Sequence, residues 1–184
     1  MDQIFAPWRI EWVEREGNDV DGCVFCELPE RGDDRENLIV AESQHAFVLL
    51  NNYPYNPGHA MVIPRTHTGE YCDLDDEVLL DHARMKARTF EAMEVALDPD
   101  GFNAGLNLGQ GSGGSIDDHL HTHVVPRWEG DTNFMPVVGE TNVIVEAIDD
   151  TYERLHGAFA EMDQASAAGS DSAVHLDFRH GDES

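Results

Sequence analysis

Hydrophobic residues fall into short blocks in the middle of the chain and two longer periodic stretches. Leu38–Val40 and Ala46–Leu50 are brief apolar runs that predict buried strands. Asn51–Gly58 (NNYPYNPG) crowds Asn and Pro together and predicts a loop or turn. His59–Ile63 resumes strand character and stops at Pro64. Phe102–Leu108 and His119–Val125 predict two further strands, separated by the glycine-rich GQGSGGSIDD. Helical spacing occurs twice. From an N-cap at Asp73, the positions Leu79, Ala83, Lys86, Phe90, Met93 and Leu97 step by four and three and end before Pro99. Ile144, Ile148, Tyr152, Leu155, Phe159 and Met162 repeat the pattern later. Both stripes read as core. The expectation is an α+β domain: an antiparallel sheet of about five strands, with one main helix before the last two and another after them.

The 184-residue length fits one domain, and no internal repeat divides it. No apolar run is as long as a membrane span, and the first twenty residues lack a secretory core, so a soluble, cytoplasmic protein without membrane contact is expected. Charge changes the picture more. Eleven basic residues stand against 37 acidic ones, a net −26, and Lys86 is the only lysine. Such a surface repels phosphate backbones, which argues against nucleic acid as a partner. Disorder does not explain it, given three Trp, eight Phe and clear periodicity. An acidic, lysine-poor surface suits concentrated salt, where a Debye length of about 3 Å screens self-repulsion; the expectation is a halophilic source. Residues 165–184 are small, polar and acidic and read as a disordered tail after a domain spanning 1–164, with no catalytic part for His175 or His180.

The most informative segment is His119-Leu120-His121-Thr122-His123-Val124-Val125. On a strand, alternate side chains share a face, so the three imidazoles would project together about 6.7 Å apart. Packing gains nothing from three imidazoles on one face. Two chemistries remain: metal ligation, or nucleophilic attack by an imidazole whose Nδ1–H is held by a carbonyl. The preceding loop favours the second. Gly109, Gly111, Gly113 and Gly114 let backbone amides approach an anion, and Ser112 and Ser115 add hydroxyls, as phosphoryl transfer requires.

The segment HLHTHVV closely resembles the His-φ-His-φ-His-φ-φ signature of the histidine triad (HIT) family of nucleotide hydrolases and transferases, Thr122 being the one departure from an apolar φ. FVLLNNYPYNPGHAMVIPRTH and GFNAGLNLGQGSGG extend the resemblance over roughly Cys23 to Trp128. IFAPWRIEW and VVPRWEGDTNF resemble the diadenosine-polyphosphate-cleaving branch of the family. The resemblance implies a HIT-like fold and cleavage of adenine dinucleoside polyphosphates at the α-phosphate. It implies His121 as nucleophile, forming a nucleotidyl-histidine, His123 as donor to phosphate oxygens, and His119 as an orienting residue. It implies Asn51 at the ribose, Asn107 at the phosphate oxygens, and Gly114, Ser115, Ile116 and Asp117 in the phosphate loop. His59, after Pro-Gly, is expected either to support the histidine strand or to be a satisfied strand residue.

Cys23-Val24-Phe25-Cys26 is a C-x-x-C outside any βαβ unit, which argues against a thioredoxin-like site. The family resemblance implies His67 and His119 as its partners in a closed Cys2His2 structural zinc site that braces the histidine strand. It also implies a homodimer. The competing functions are a nucleoside phosphoramidase of the other HIT branch and a nucleotide-binding sensor.

Overall fold

The computed structural model describes residues 22–114, 116–131 and 147–178. Ser115, Ile144, the segment IFAPWRIEW and the end of VVPRWEGDTNF lie outside them.

Seven strands form one sheet in the order β4-β5-β3-β2-β1-β7-β6. They are β1 (Ile39–Glu42), β2 (Ala46–Leu50), β3 (Ala60–Pro64), β4 (Gly101–Leu106), β5 (Thr122–Arg127), β6 (Ala165–Ser166) and β7 (Val174–Leu176). The predicted α+β class holds, and the first four predicted strands recur within two residues at most ends. Among the described residues three α-helices accompany the sheet: α1 (Val24–Glu30), α2 (Asp76–Leu97) and α3 (Ile148–Ala160). β2 and β3 are buried along their whole length, as their unbroken apolar runs require. One face packs on α2 and α3, where Val40, Val48, Leu50, Val62 and Val124 meet Met85, Met93, Tyr152 and Phe159. The other face carries Ile39, Phe47, Leu49, Met61 and Ile63, and it is covered at one end by Phe25 of α1.

Three expectations are corrected. The stripe drawn for α2 is rotated: its buried positions are Val78, Asp81, His82, Met85, Thr89, Ala92, Met93 and Leu97, while Ala83 is exposed. Three polar residues on the buried face, Asp81, His82 and Thr89, hid the true periodicity. The disordered tail does not begin at Ala165. Residues 165–178 add β6 and β7, and β7 runs parallel to β1 with Val174 and Leu176 fully buried. Asp34 Oδ2 accepts the Ala173 N–H at 2.8 Å, and His156 Nε2–H donates to Ser172 O at 3.0 Å, so acidic composition conceals a docked hairpin. Finally, β5 starts at Thr122 rather than His119. Leu120 N–H pairs with Thr68 O at 2.8 Å, outside the sheet ladder, and this turns His119 away from its two companions.

Candidate active site

The two cysteines stand at the N-terminus of α1, Cys23 as its N-cap residue and Cys26 one turn later. Neither forms a disulfide. Across from them, His67 follows β3 and His119 precedes β5. Cys23 Sγ lies 3.2 Å from His119 Nδ1, and Cys26 Sγ lies 3.4 Å from His67 Nδ1 and 3.6 Å from His119 Nδ1. The two Nδ1 atoms are 3.3 Å apart, and all four donors fall within 4.8 Å of one another. A tetrahedral zinc with bonds of about 2.05 Å to nitrogen and about 2.3 Å to sulfur sets edges of about 3.3 Å (N–N) and about 3.6 Å (N–S). The cluster has that size.

Its surroundings agree. Pro64 O can only accept, so the 2.8 Å contact with His119 Nε2 puts the proton there and leaves the Nδ1 lone pair facing the sulfurs. Burial holds His119 below the ordinary imidazole range, in the neutral form that ligation requires. Burial, with Cys23 alongside, pushes the Cys26 thiol up to about 11. A dication at the centre would bring the Cys26 thiol down again and reinforce the neutral form of His119. The backbone approaches closely here: a Cβ on Gly69 would lie 2.2 Å from Asp117 O. The four residues implied by the family resemblance therefore do come together as a set able to hold a metal.

The other two histidines of the triad turn to a different space. His121 and His123 line one cavity of about 640 Å3, their ring centroids 4.9 Å apart. His121 is 6% exposed, and its Nδ1–H donates to His119 O at 2.9 Å. A carbonyl cannot donate, so His121 is the Nδ1–H tautomer, with its lone pair on Nε2. His123 takes the opposite form. Tyr55 N–H donates to His59 Nδ1 at 3.1 Å, which puts the His59 proton on Nε2. That proton is donated to His123 Nδ1 at 2.9 Å, and His123 must carry its own proton on Nε2. Tyr55 stacks on His59 with centroids 4.9 Å apart and planes 13° from parallel, fixing the ring that makes the relay. One face of the cavity thus presents a nitrogen lone pair beside an N–H donor. His59 supports the histidine strand, one of the two roles expected for it.

The cavity has both polar and apolar lining. Asn51, Asn107, Gly113, Gly114 and Ile116 line it together with the histidines. Gly113 has φ +82, in the left-handed region, and a Cβ on Gly114 would meet Asn107 Cβ at 3.1 Å, so the loop passes close to the end of β4 only as glycine. Asn51 Oδ1 accepts Tyr53 N–H at 2.9 Å, bending the chain away from β2. Val24, Phe25 and Leu28 of α1 line it too, with Leu38, Leu49 and Met61. Leu38 sits at φ +62, with its N–H on Arg35 O (3.1 Å) and its carbonyl accepting from Leu50 N–H (2.9 Å). A branched residue rarely adopts this conformation, and paired neighbours on both sides hold it there.

Several expectations need adjustment. His119 does not line the cavity; it contributes its carbonyl to His121 and its ring to the cysteines. Asp117 is not among the lining residues either. The Ser112 hydroxyl donates to Gly109 O at 2.7 Å, within its own turn. Phe25, which sequence reasoning missed, joins the two centres: its ring centroid is 5.6 Å from that of His119 and 5.2 Å from that of His121. Only its place inside the C-x-x-C pair could have drawn attention to it.

A sheet of this topology with three alternating histidines leading into β5 defines the histidine-triad class, and the chain belongs to that family: its HIT domain spans residues 33–130. It is 40% identical over 172 residues to the AP-4-A phosphorylase of Mycobacterium tuberculosis, covering 88% of this chain and 86% of that protein. The adenosine 5'-monophosphoramidase of Saccharomyces cerevisiae is 30% identical over 105 residues, 57% of this chain and 62% of the other. Among solved structures, a zinc-bound histidine triad family protein from Mycobacterium smegmatis matches with a TM-score of 0.62 and 28% identity, covering 76% of this chain and 94% of that one.

Proposed function

We propose that the chain cleaves dinucleoside polyphosphates such as diadenosine tetraphosphate at the α-phosphorus. His121 Nε2 attacks phosphorus, the bond to the bridging oxygen breaks, and the remaining nucleotide leaves. A nucleotidyl-histidine remains until water or inorganic phosphate attacks the same phosphorus, releases the nucleotide and restores the ring. The observation that carries this reading is the pair of opposed tautomers on one cavity wall. A lone pair on His121 suits attack, and the Nε2–H of His123 suits a developing negative charge on the phosphoryl oxygens. His119 orients the nucleophile through its backbone carbonyl. Asn51 serves the ribose, and Asn107, Gly114, Ser115 and Ile116 serve the phosphates. The apolar lining from Val24, Phe25, Leu28, Leu38 and Leu49 takes the base.

We assign zinc to Cys23, Cys26, His67 and His119. With four protein donors such a site is closed, so its chemistry is structural: it would tie α1 to the chain after β3 and to the start of the histidine segment. Reduced cysteines in a metal site suit a reducing compartment, and we place the enzyme in the cytoplasm. We also propose a homodimer paired through β4, the last strand on its side of the sheet, whose Asn103, Ala104 and Gly105 are exposed.

Similarity across most of the chain to a protein named AP-4-A phosphorylase supports the dinucleotide reading and favours phosphate as the second nucleophile. The test is product analysis with diadenosine tetraphosphate. Phosphorolysis gives ADP and ATP and requires added phosphate; hydrolysis gives AMP and ATP without it. No cleavage, together with turnover of an adenosine phosphoramidate, would favour the phosphoramidase reading instead.

A further inference from the structure

The face of β5 opposite His121 and His123 holds a polar contact that the proposed chemistry does not use. Thr122 stands between the two histidines in sequence, and alternation sends its side chain toward α2. It is the one polar residue at a position where the family signature is apolar. Its hydroxyl is buried and lies 3.3 Å from His82 Nε2. The same nitrogen donates to Val62 O at 3.2 Å, so it carries the proton and Thr122 shares it as a second acceptor. Val62 and Thr122 are partners in the β3–β5 register. One imidazole from α2 therefore grips both strands where β5 begins.

This arrangement is costly to the fold. His82 is fully buried, and its Nδ1 has no partner among the described residues. Burial pushes its pKa down to about 4, so it stays neutral in ordinary buffers. An apolar pair in the same space would leave nothing unsatisfied and would be the more stable choice. Groups of this kind in a well-packed interface call for a purpose other than stability. The adjacent residue, Asp81, is by contrast satisfied, by Ser43 Oγ at 2.5 Å and His45 N–H at 3.2 Å.

We propose that His82 is a positioning residue: by holding Thr122 from behind, it fixes the start of β5 and so the placement of His121 and His123 on the other face. The inference rests on the reading of that pair as the reacting centre. Small displacements matter in such a centre, where misplacement by about 1 Å costs on the order of 100-fold in rate.

The test compares His82→Leu, Thr122→Val and His82→Gln with the wild type, reading melting temperature, kcat and KM for diadenosine tetraphosphate, and the ring 15N NMR signals of His121 and His123. His82→Leu and Thr122→Val are expected to keep or raise the melting temperature. They are expected to lower kcat by roughly 10- to 100-fold and leave KM nearly unchanged, while the ring signals shift or broaden. His82→Gln, which returns an N–H near Nε2, should recover most of kcat. Wild-type kcat in both apolar variants would overturn the proposal. So would a fall in kcat that tracks a loss of melting temperature and is not restored by Gln, since that marks a purely structural role. If the wild type cleaves nothing, the reading of the reaction fails, and the ring signals decide the positioning: moved signals uphold it and unmoved signals refute it.

Discussion

Replacing His121 by Ala separates chemistry from fold. The ring has little to do with the core, since Leu120 and Val124 supply the packing on the opposite side. Removing it loses the 2.9 Å hydrogen bond to His119 O, a net contribution of about 1 kcal/mol. It also loses ring contacts with Phe25 and His123, together about another 1 kcal/mol. A total of about 2 kcal/mol is a fraction of the 5–15 kcal/mol or so typical of a domain, and it lowers the melting temperature of a chain this size by roughly 4–8 °C. The catalytic loss is much larger. An oriented intramolecular nucleophile is worth about 7 kcal/mol or more, and at about 1.4 kcal/mol per decade this is on the order of 100,000-fold in kcat. Binding of AMP should weaken less than about tenfold, or about 1.4 kcal/mol, because His123, Asn51, Asn107 and the glycine loop remain. The assays are a thermal melt, a binding titration and single-turnover kinetics stopped by denaturation in alkali, which spares the acid-labile P–N bond and in which only the wild type should retain label from an α-32P substrate. Near wild-type turnover in His121→Ala, or no trapped label in an active wild type, would refute the nucleophile assignment.

Chelation should unlock α1, which at seven residues with an internal proline cannot persist alone. A metal held at about 1,000 times its Kd contributes about 4 kcal/mol, so its removal, or Cys26→Ser, should lower the melting temperature by roughly 8–16 °C and weaken AMP binding through Val24, Phe25 and Leu28; a purified chain with only traces of zinc would contradict this. Stability should fall with acid in a window set by His82: the unfolded chain takes up a proton below 6.5, the folded chain only near 4, so the contribution is complete above 6.5 and lost as pH drops toward 4. Denaturant titrations should show about 2 kcal/mol of this loss by about pH 5, and His82→Gln should flatten it. With a net charge of −26, the melting temperature should climb steeply as salt rises from about 0.1 M to about 1 M and the Debye length shrinks from about 10 Å to about 3 Å. Full stability in dilute buffer would end the halophilic reading.

The sequence by itself determined what depends on near neighbours. Period-two alternation marked the histidine segment, proline and asparagine marked the turn before β3, and unbroken apolar runs marked β2 and β3. Spacing alone marked Cys23 and Cys26 as a pair. These are local signals, because backbone geometry repeats every two or four residues and its imprint needs no distant partner. Tertiary structure decided the rest. The buried face of α2 was concealed because Asp81 and His82 take polar partners from β1–β2 and β3–β5, contacts no helical periodicity encodes. The hairpin of residues 165–178 looked too polar to fold, since its two inward residues gain burial only once β1 lies beside them. His119 belongs to the cysteines rather than to the cavity because Leu120 bonds to Thr68, about fifty residues away in sequence. The tautomers of His121 and His123 follow from a carbonyl and from a ring on β3's approach. A proton's place on an imidazole is set by what stands within 3 Å of it, and in this chain those neighbours come together only in the folded state.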